Sequence, residues 1–178
     1  KGTAKGIDFL TKYKSKELYV WLVYSYSIVE RQDDDFTYSP HFDRRHNVNF
    51  VTSVNLDKKR TWKADVRWNL GSGFPFTQTQ GFYENIPFDD GINTDITQIN
   101  GELEIAYAEL NEGRLPYYHR LDFSVSKKFE LFKSSDLDVT FSVTNMYNRE
   151  NIFYFNRVKY ERINQLPLMP SLGASLIF

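Results

Sequence analysis

The chain has 178 residues, with 22 basic and 23 acidic side chains, a formal net charge of −1, no Cys, 41% hydrophobic residues and 17% aromatics. That balance supplies no field for drawing in nucleic acid, and the missing cysteines remove disulfide frameworks, thiol nucleophiles and Cys-ligated metals. The longest apolar run, residues 18–24, spans seven residues where a membrane helix needs about 20; helical spans are excluded, but barrel strands, which show lipid only alternate residues, are not.

In chain order, period-two alternation predicts about seven strands. The chain opens Lys1-Gly2-Thr3 with neither an initiator Met nor a secretory signal pattern, as a mature product or a piece of something longer does. A weak strand over residues 6–13 comes first. From residue 18 the even positions are Leu18, Val20, Leu22, Tyr24, Tyr26 and Ile28. Val48, Phe50, Val54 and Leu56 then oppose Asn47, Asn49, Ser53 and Asn55. The clearest run sets Trp62, Ala64, Val66, Trp68 and Leu70 against Lys63, Asp65, Arg67 and Asn69. Leu121, Phe123 and Val125, next Leu137, Val139, Phe141 and Val143, and finally Leu172, Ala174, Leu176 and Phe178 complete the set. Phe74 shares the parity of Trp62 and lies twelve residues on, roughly 30 Å of height for a tilted strand, which predicts aromatic girdles at two interfaces.

Connections alternate in length. Residues 14–16, 57–60 and 131–136 are tight turns, whereas residues 31–43, 73–116 and 149–167 form long loops. Short turns at one end and long loops at the other are the pattern of a bacterial outer-membrane barrel. The polar face mixes Asn, Ser and Thr with charges of both signs, as a wet lumen would. Single-chain bacterial barrels start at eight strands and have even numbers, and an open edge in lipid costs several kcal/mol per unpaired backbone group. The expectation is an all-β antiparallel transmembrane β-barrel portion: residues 1–178 as about seven C-terminal strands of a larger barrel, with residues 73–116 as a long extracellular insertion.

Four stretches stand out at the ends of these strands: Tyr38-Ser39-Pro40-His41-Phe42-Asp43-Arg44-Arg45-His46-Asn47, Trp68-Asn69-Leu70-Gly71-Ser72-Gly73-Phe74-Pro75-Phe76-Thr77, Leu115-Pro116-Tyr117-Tyr118-His119-Arg120-Leu121-Asp122 and Val143-Thr144-Asn145-Met146-Tyr147-Asn148-Arg149-Glu150-Asn151. In order and spacing they resemble the C-terminal barrel of TonB-dependent outer-membrane receptors, most closely the subgroup with a carboxypeptidase-regulatory-like N-terminal domain. The resemblance implies a 22-stranded barrel in the outer membrane of a Gram-negative bacterium, an N-terminal plug absent from this chain, and proton-motive force delivered to that plug by TonB. It further implies uptake of a scarce ligand (siderophore, vitamin, glycan or peptide) and, as partners, the remaining strands and plug, outer-membrane lipid and a surface lipoprotein. Leu176 and Phe178 resemble the aromatic-ended signal read by the insertion machinery. No enzymatic activity, cofactor or nucleic-acid partner is expected. The alternatives are a non-transporting barrel of an adhesion or secretion/assembly complex, and a soluble β-sandwich binding module.

Candidate sites lie where strands meet loops. Arg44, Arg45 and His46 offer a cationic contact for an anionic ligand at the lumen mouth, or else an ion-pair network with Asp43 that orients the loop. Tyr117, Tyr118 and Arg120, with Phe153-Tyr154-Phe155, either stack on a ligand or form an interfacial girdle. Residues 71–113 carry Glu84, Asp89, Asp90, Asp95, Glu102, Glu104, Glu109 and Glu112 and no Lys or Arg, an acidic lid for a cationic ligand or a solvated loop. The run from Asp89 to Asp95 loosely resembles a calcium loop but lacks its regular ligand spacing and distal Glu. His41, His46 and His119 have no partners of metal-ligand spacing, so no metal site is expected.

Overall fold

Alternation in the sequence becomes one open antiparallel sheet. The computed structural model describes residues 1–34, 36–87, 91, 95, 97–98, 101–132, 135–159 and 161–178. In chain order its strands are β1 (Gly2–Lys14), β2 (Leu18–Asp33), β3 (Phe36–Tyr38), β4 (His46–Asn55), β5 (Trp62–Gly71), β6 (Pro75–Phe76) and β7 (Thr79–Asn85). They are followed by β8 (Glu102–Tyr107), β9 (Gly113–Arg114), β10 (Tyr118–Phe132), β11 (Ser135–Thr144), β12 (Ile152–Asn156), β13 (Glu161–Asn164) and β14 (Met169–Ile177). The sheet order is β1-β2-β4-β5-β10-β11-β14, so each long strand lies beside the next long strand of the chain, with β3 added to the end of β2. β1 and β14 are its two edges.

Consecutive antiparallel neighbours put every second connection at the same end. The turns after β1 and β4 and the step from Phe132 to Ser135 share one end. Residues 34–45, 72–117 and 145–168, which hold the pairs β6–β9, β7–β8 and β12–β13, share the other. The tight turns are closed by their own side chains. Ser15 Oγ accepts from the Leu18 amide at 3.0 Å, and Asp57 accepts from the Trp62 amide at 2.8 Å and the Thr61 hydroxyl at 2.9 Å. Asp57 is thereby held below the usual carboxylate range, the Trp62 amide being the largest cause.

Register decides the faces. Residues directly opposite in a sheet share a face, and the pairings carry one apolar set across all seven strands. One row reads Tyr13, Val20, Thr52, Val66, Phe123, Val143 and Pro170. The next contains Leu18, Val54, Ala64, Val125, Phe141 and Leu172. Thr52 hides its hydroxyl by donating to the Tyr19 carbonyl at 3.0 Å. At the short-turn end Lys127 lies on this face but bends over the Trp62 ring, 4.8 Å from its centroid, and donates to Thr61 Oγ1 at 2.9 Å. At the long-loop end Tyr24 shares a 2.9 Å hydrogen bond with His46 Nδ1, and the Tyr26 ring lies 5.1 Å from the same imidazole.

The opposite face carries Leu10, Trp21, Val23 and Val51 toward the β1 edge and is mainly polar and cross-linked from β4 to β14. Ser53 donates to Asp65, its cross-strand partner, and Asn69 to Asn49. Lys63 pairs with Asp65 at 2.8 Å and Lys128 with Asp136 at 2.6 Å, while Ser142 and Ser171 share a 2.7 Å bond.

No second layer covers either face among the described residues. The exposed surface is 13076 Å², against about 9,000 Å² for a compact monomer of this mass. Among the described residues no hydrophobic side chain is buried, and the two large side chains that are fully buried are Asn145 and Asp43. This inverts the usual arrangement, in which apolar groups go inside and polar groups face water.

Phe74 departs from the expected apolar stripe. β5 ends at Gly71, and the chain turns through Ser72 and Gly73, where a Cβ on Gly73 would overlap the Leu115 carbonyl. The close approach of these two backbones redirects Phe74 toward the loops.

Candidate ligand site

The long-loop rim is assembled around buried polar groups. Asp43, with no exposed surface, accepts from the Val29 amide at 2.9 Å, from Arg45 Nε at 2.8 Å and from Arg114 Nη2 at 2.6 Å. Arg114 also donates to the carbonyls of Asp43 and Gly73. One carboxylate therefore ties β2, the 34–45 loop and the far end of the 72–117 loop. Burial alone would push the Asp43 carboxyl up, but the Arg114 bond, the Val29 amide and Arg45 outweigh it and hold the group below the ordinary carboxylate range.

A second hub closes the end of β11. Asn145 and Asn148 adopt positive φ (53° and 51°), a conformation Asn tolerates better than most residues. The Asn145 side chain donates to the carbonyls of Arg149 at 2.9 Å and Leu166 at 3.0 Å and accepts from the Arg149 amide at 3.0 Å. Its own amide donates to Asp122 Oδ1 at 3.0 Å. Asn151 accepts from the His119 amide at 3.1 Å and donates to the His119 carbonyl at 2.9 Å, continuing the β10 edge by side chain where strand pairing stops.

Between the hubs lies a cavity of about 520 Å³, lined among others by Arg44, Phe74, Tyr117, Tyr118, Arg149 and Arg162. Arg44 and Arg45 diverge, as successive residues of an extended chain do. Arg45 turns to Asp43 and Ser39. Arg44 lies across Gly71, where a Cβ would overlap its guanidinium, and stacks 4.2 Å from the Phe74 centroid and 5.9 Å from that of Tyr118. Gly71 and Tyr118 belong to the polar face by register, so the Arg44 head sits on that side of the sheet. The Nε atoms of Arg44 and Arg149 are buried with no hydrogen-bond partner. Burial pulls Arg44 below the ordinary guanidinium range. Arg149 donates to the Tyr117 carbonyl at 2.9 Å, and Arg162 pairs with Glu150. A second cavity of about 620 Å³ follows, walled by Phe76, Leu115, Phe153, Phe155 and Arg157.

Four residues singled out in the sequence therefore meet in one cavity: Arg44, Tyr117, Tyr118 and Phe153. Tyr154 and Phe155 line the second cavity, and three more candidates line neither. Arg45 serves the Asp43 hub, His46 lies on the apolar face among tyrosines, and Arg120 is paired with Asp122 at 2.8 Å. Arg149 and Arg162 were not singled out in the sequence. Arg149 stands inside the quoted 143–151 stretch, but its placement depends on the Asn145 turn.

The acidic insertion resolves into local structure. Glu104 accepts from Tyr83 at 2.7 Å and from Asn85 at 2.8 Å across the β7–β8 hairpin, and is held below the usual carboxylate range by those bonds, Tyr83 first. Glu84 accepts from the Gly101 amide at 2.8 Å. Asp95 accepts from the hydroxyl and amide of Thr97, while Glu102 is exposed. Asp89 and Asp90, with most of the calcium-like run, lie outside the described residues. Leu176 pairs with Leu137 on the apolar face, and Phe178 is 90% exposed beyond it at the short-turn end.

Compared with known proteins, the chain matches no family model, no curated protein and no solved structure.

Proposed function

We propose that this sheet is part of the wall of a TonB-dependent outer-membrane receptor, and that the complete receptor takes up a scarce ligand. The observation that carries the reading is the inverted burial: an apolar face that runs over seven strands, uncovered by any described residue, opposite a face that is mainly polar from β4 to β14. In water such a face aggregates; against acyl chains it is at its minimum. The ten residues of β5, at 3.3 Å rise and about 40° tilt, give about 25 Å of height, the apolar band of an outer-membrane barrel. Lys127 over Trp62 at one end and Tyr24, Tyr26 and His46 at the other suit the two interfaces. Edges β1 and β14 would then pair with further strands, because lipid satisfies no backbone donor.

The test is sidedness. With no Cys in this segment, Leu103→Cys in the β7–β8 hairpin should react with a membrane-impermeant maleimide on intact cells. Lys58→Cys, in a short turn, should react only after the outer membrane is opened. Reaction at Lys58→Cys in intact cells, or recovery of the protein in the soluble fraction, contradicts the reading. A parent reading frame lacking a plug ahead of this segment contradicts transport while leaving the barrel standing.

A further inference from the structure

We infer that the Arg44 cavity binds a small organic oxyanion, a carboxylate or phosphate group carried on a flat aromatic or apolar body. The inference deepens the receptor reading by naming the chemical class that one of its sites takes. A guanidinium taken out of water is costly unless paired, and the adjacent Arg45 is paired with the Asp43 carboxylate. Arg44 has no such partner among the described residues: its contacts are the faces of Phe74 and Tyr118 and the flank of Gly71. Stacking leaves the in-plane N–H groups of a guanidinium free, and that edge fits carboxylate and phosphate bidentately.

The rest of the cavity points the same way. Arg149 and Arg162 bring the lining arginines to three, against the single carboxylate of Glu150. That carboxylate is already engaged with Arg162. The walls supplied by Phe74, Tyr117, Tyr118 and Phe153 are aromatic, which favours a ligand with a flat or apolar body over a bare inorganic ion. A volume of about 520 Å³ falls within the range of small-molecule sites.

The test titrates the full receptor, purified in detergent, with benzoate, phenyl phosphate and the neutral isostere benzamide by calorimetry or ligand-observed NMR. At least one anion should bind, with benzamide weaker by tenfold or more; the comparison of the two anions tells carboxylate from phosphate. Arg44→Gln should weaken the anion by about 10–100-fold, with partial recovery in Arg44→Lys. Because Arg44 also supports Phe74, a second variant guards against misfolding. Glu150→Gln, at a side chain 66% exposed, removes the competing carboxylate and should tighten anion binding severalfold. Equal binding of benzamide and anion, no binding of either anion, or unchanged affinity in Glu150→Gln overturns the inference. Heat-modifiable mobility on the same samples separates the two claims. A folded barrel without anion preference sinks only the cavity's role, whereas a protein monodisperse in plain buffer sinks the barrel.

Discussion

Asn145 and Asp43 show how a molecule with no apolar interior among its described residues fixes its shape: the rim is held by polar groups that water cannot reach. Replacing Asn145 with Ala removes three side-chain hydrogen bonds, strands two carbonyls and an amide, and leaves a positive φ to a residue that disfavours it. The expected cost is about 2–4 kcal/mol, read as a lower unfolding midpoint in detergent. Asp43 makes a pH prediction with a definite sign. Its folded-state affinity for protons is depressed, so the stability it contributes is present above the ordinary carboxylate range, near pH 4, and is lost as pH falls through its lower folded value. Pepsin nicking of the 34–45 loop should rise over that window, and Asp43→Asn should show the same susceptibility already at higher pH. Nicking that is flat across the window, or unchanged in Asp43→Asn, removes the hub from the account. Neither hub was fully legible in the sequence. Asp43 with Arg45 was, because the residues are two apart. Arg114 was not, because it joins them from 71 positions away, through the fold.

Strands were legible where the environment enforces period two, and loops were not. Trp62 to Leu70 alternates without exception, and β5 occupies those residues. The opening strand, read as residues 6–13, extends from Gly2 to Lys14; Lys5 and Lys12 blur its pattern because β1 is an edge, exposed throughout. Within residues 73–116 the sequence alternates only weakly, over residues 99–110. The β7–β8 hairpin is made by side-chain bonds from Glu84 and Glu104 as much as by apolar contact. Val66→Arg or Phe141→Arg, both on the apolar face, should block assembly, since a cation at the bilayer midplane costs about 2–4 kcal/mol; normal membrane levels would argue against the face assignment. Thr79 and Tyr107 are cross-strand partners, so a short Gly-Ser linker can replace residues 80–106. That excision keeps β6, β9 and the Arg114 anchor and should leave heat-modifiable mobility intact. Its loss would show that the hairpin is structural.

For the whole molecule, the claim on which the rest depends is that the uncovered face meets lipid and the cross-linked face meets water. The seven-strand sheet, its two unpaired edges and the clustering of all long loops at one end follow from a meander in which each strand pairs with the next. Those features were readable as connection parity, because loop length alternates in the sequence itself. Val66 and Arg67 are adjacent in β5 and point to opposite faces, so they differ in little but their surroundings. Spin labels at Val66→Cys and Arg67→Cys of the bilayer-reconstituted receptor provide the most direct measurement. Relaxation at position 66 should be dominated by oxygen, which concentrates in lipid, and at position 67 by a water-soluble nickel chelate. Equal access of the nickel chelate to both positions, or the reverse pattern, would contradict the account.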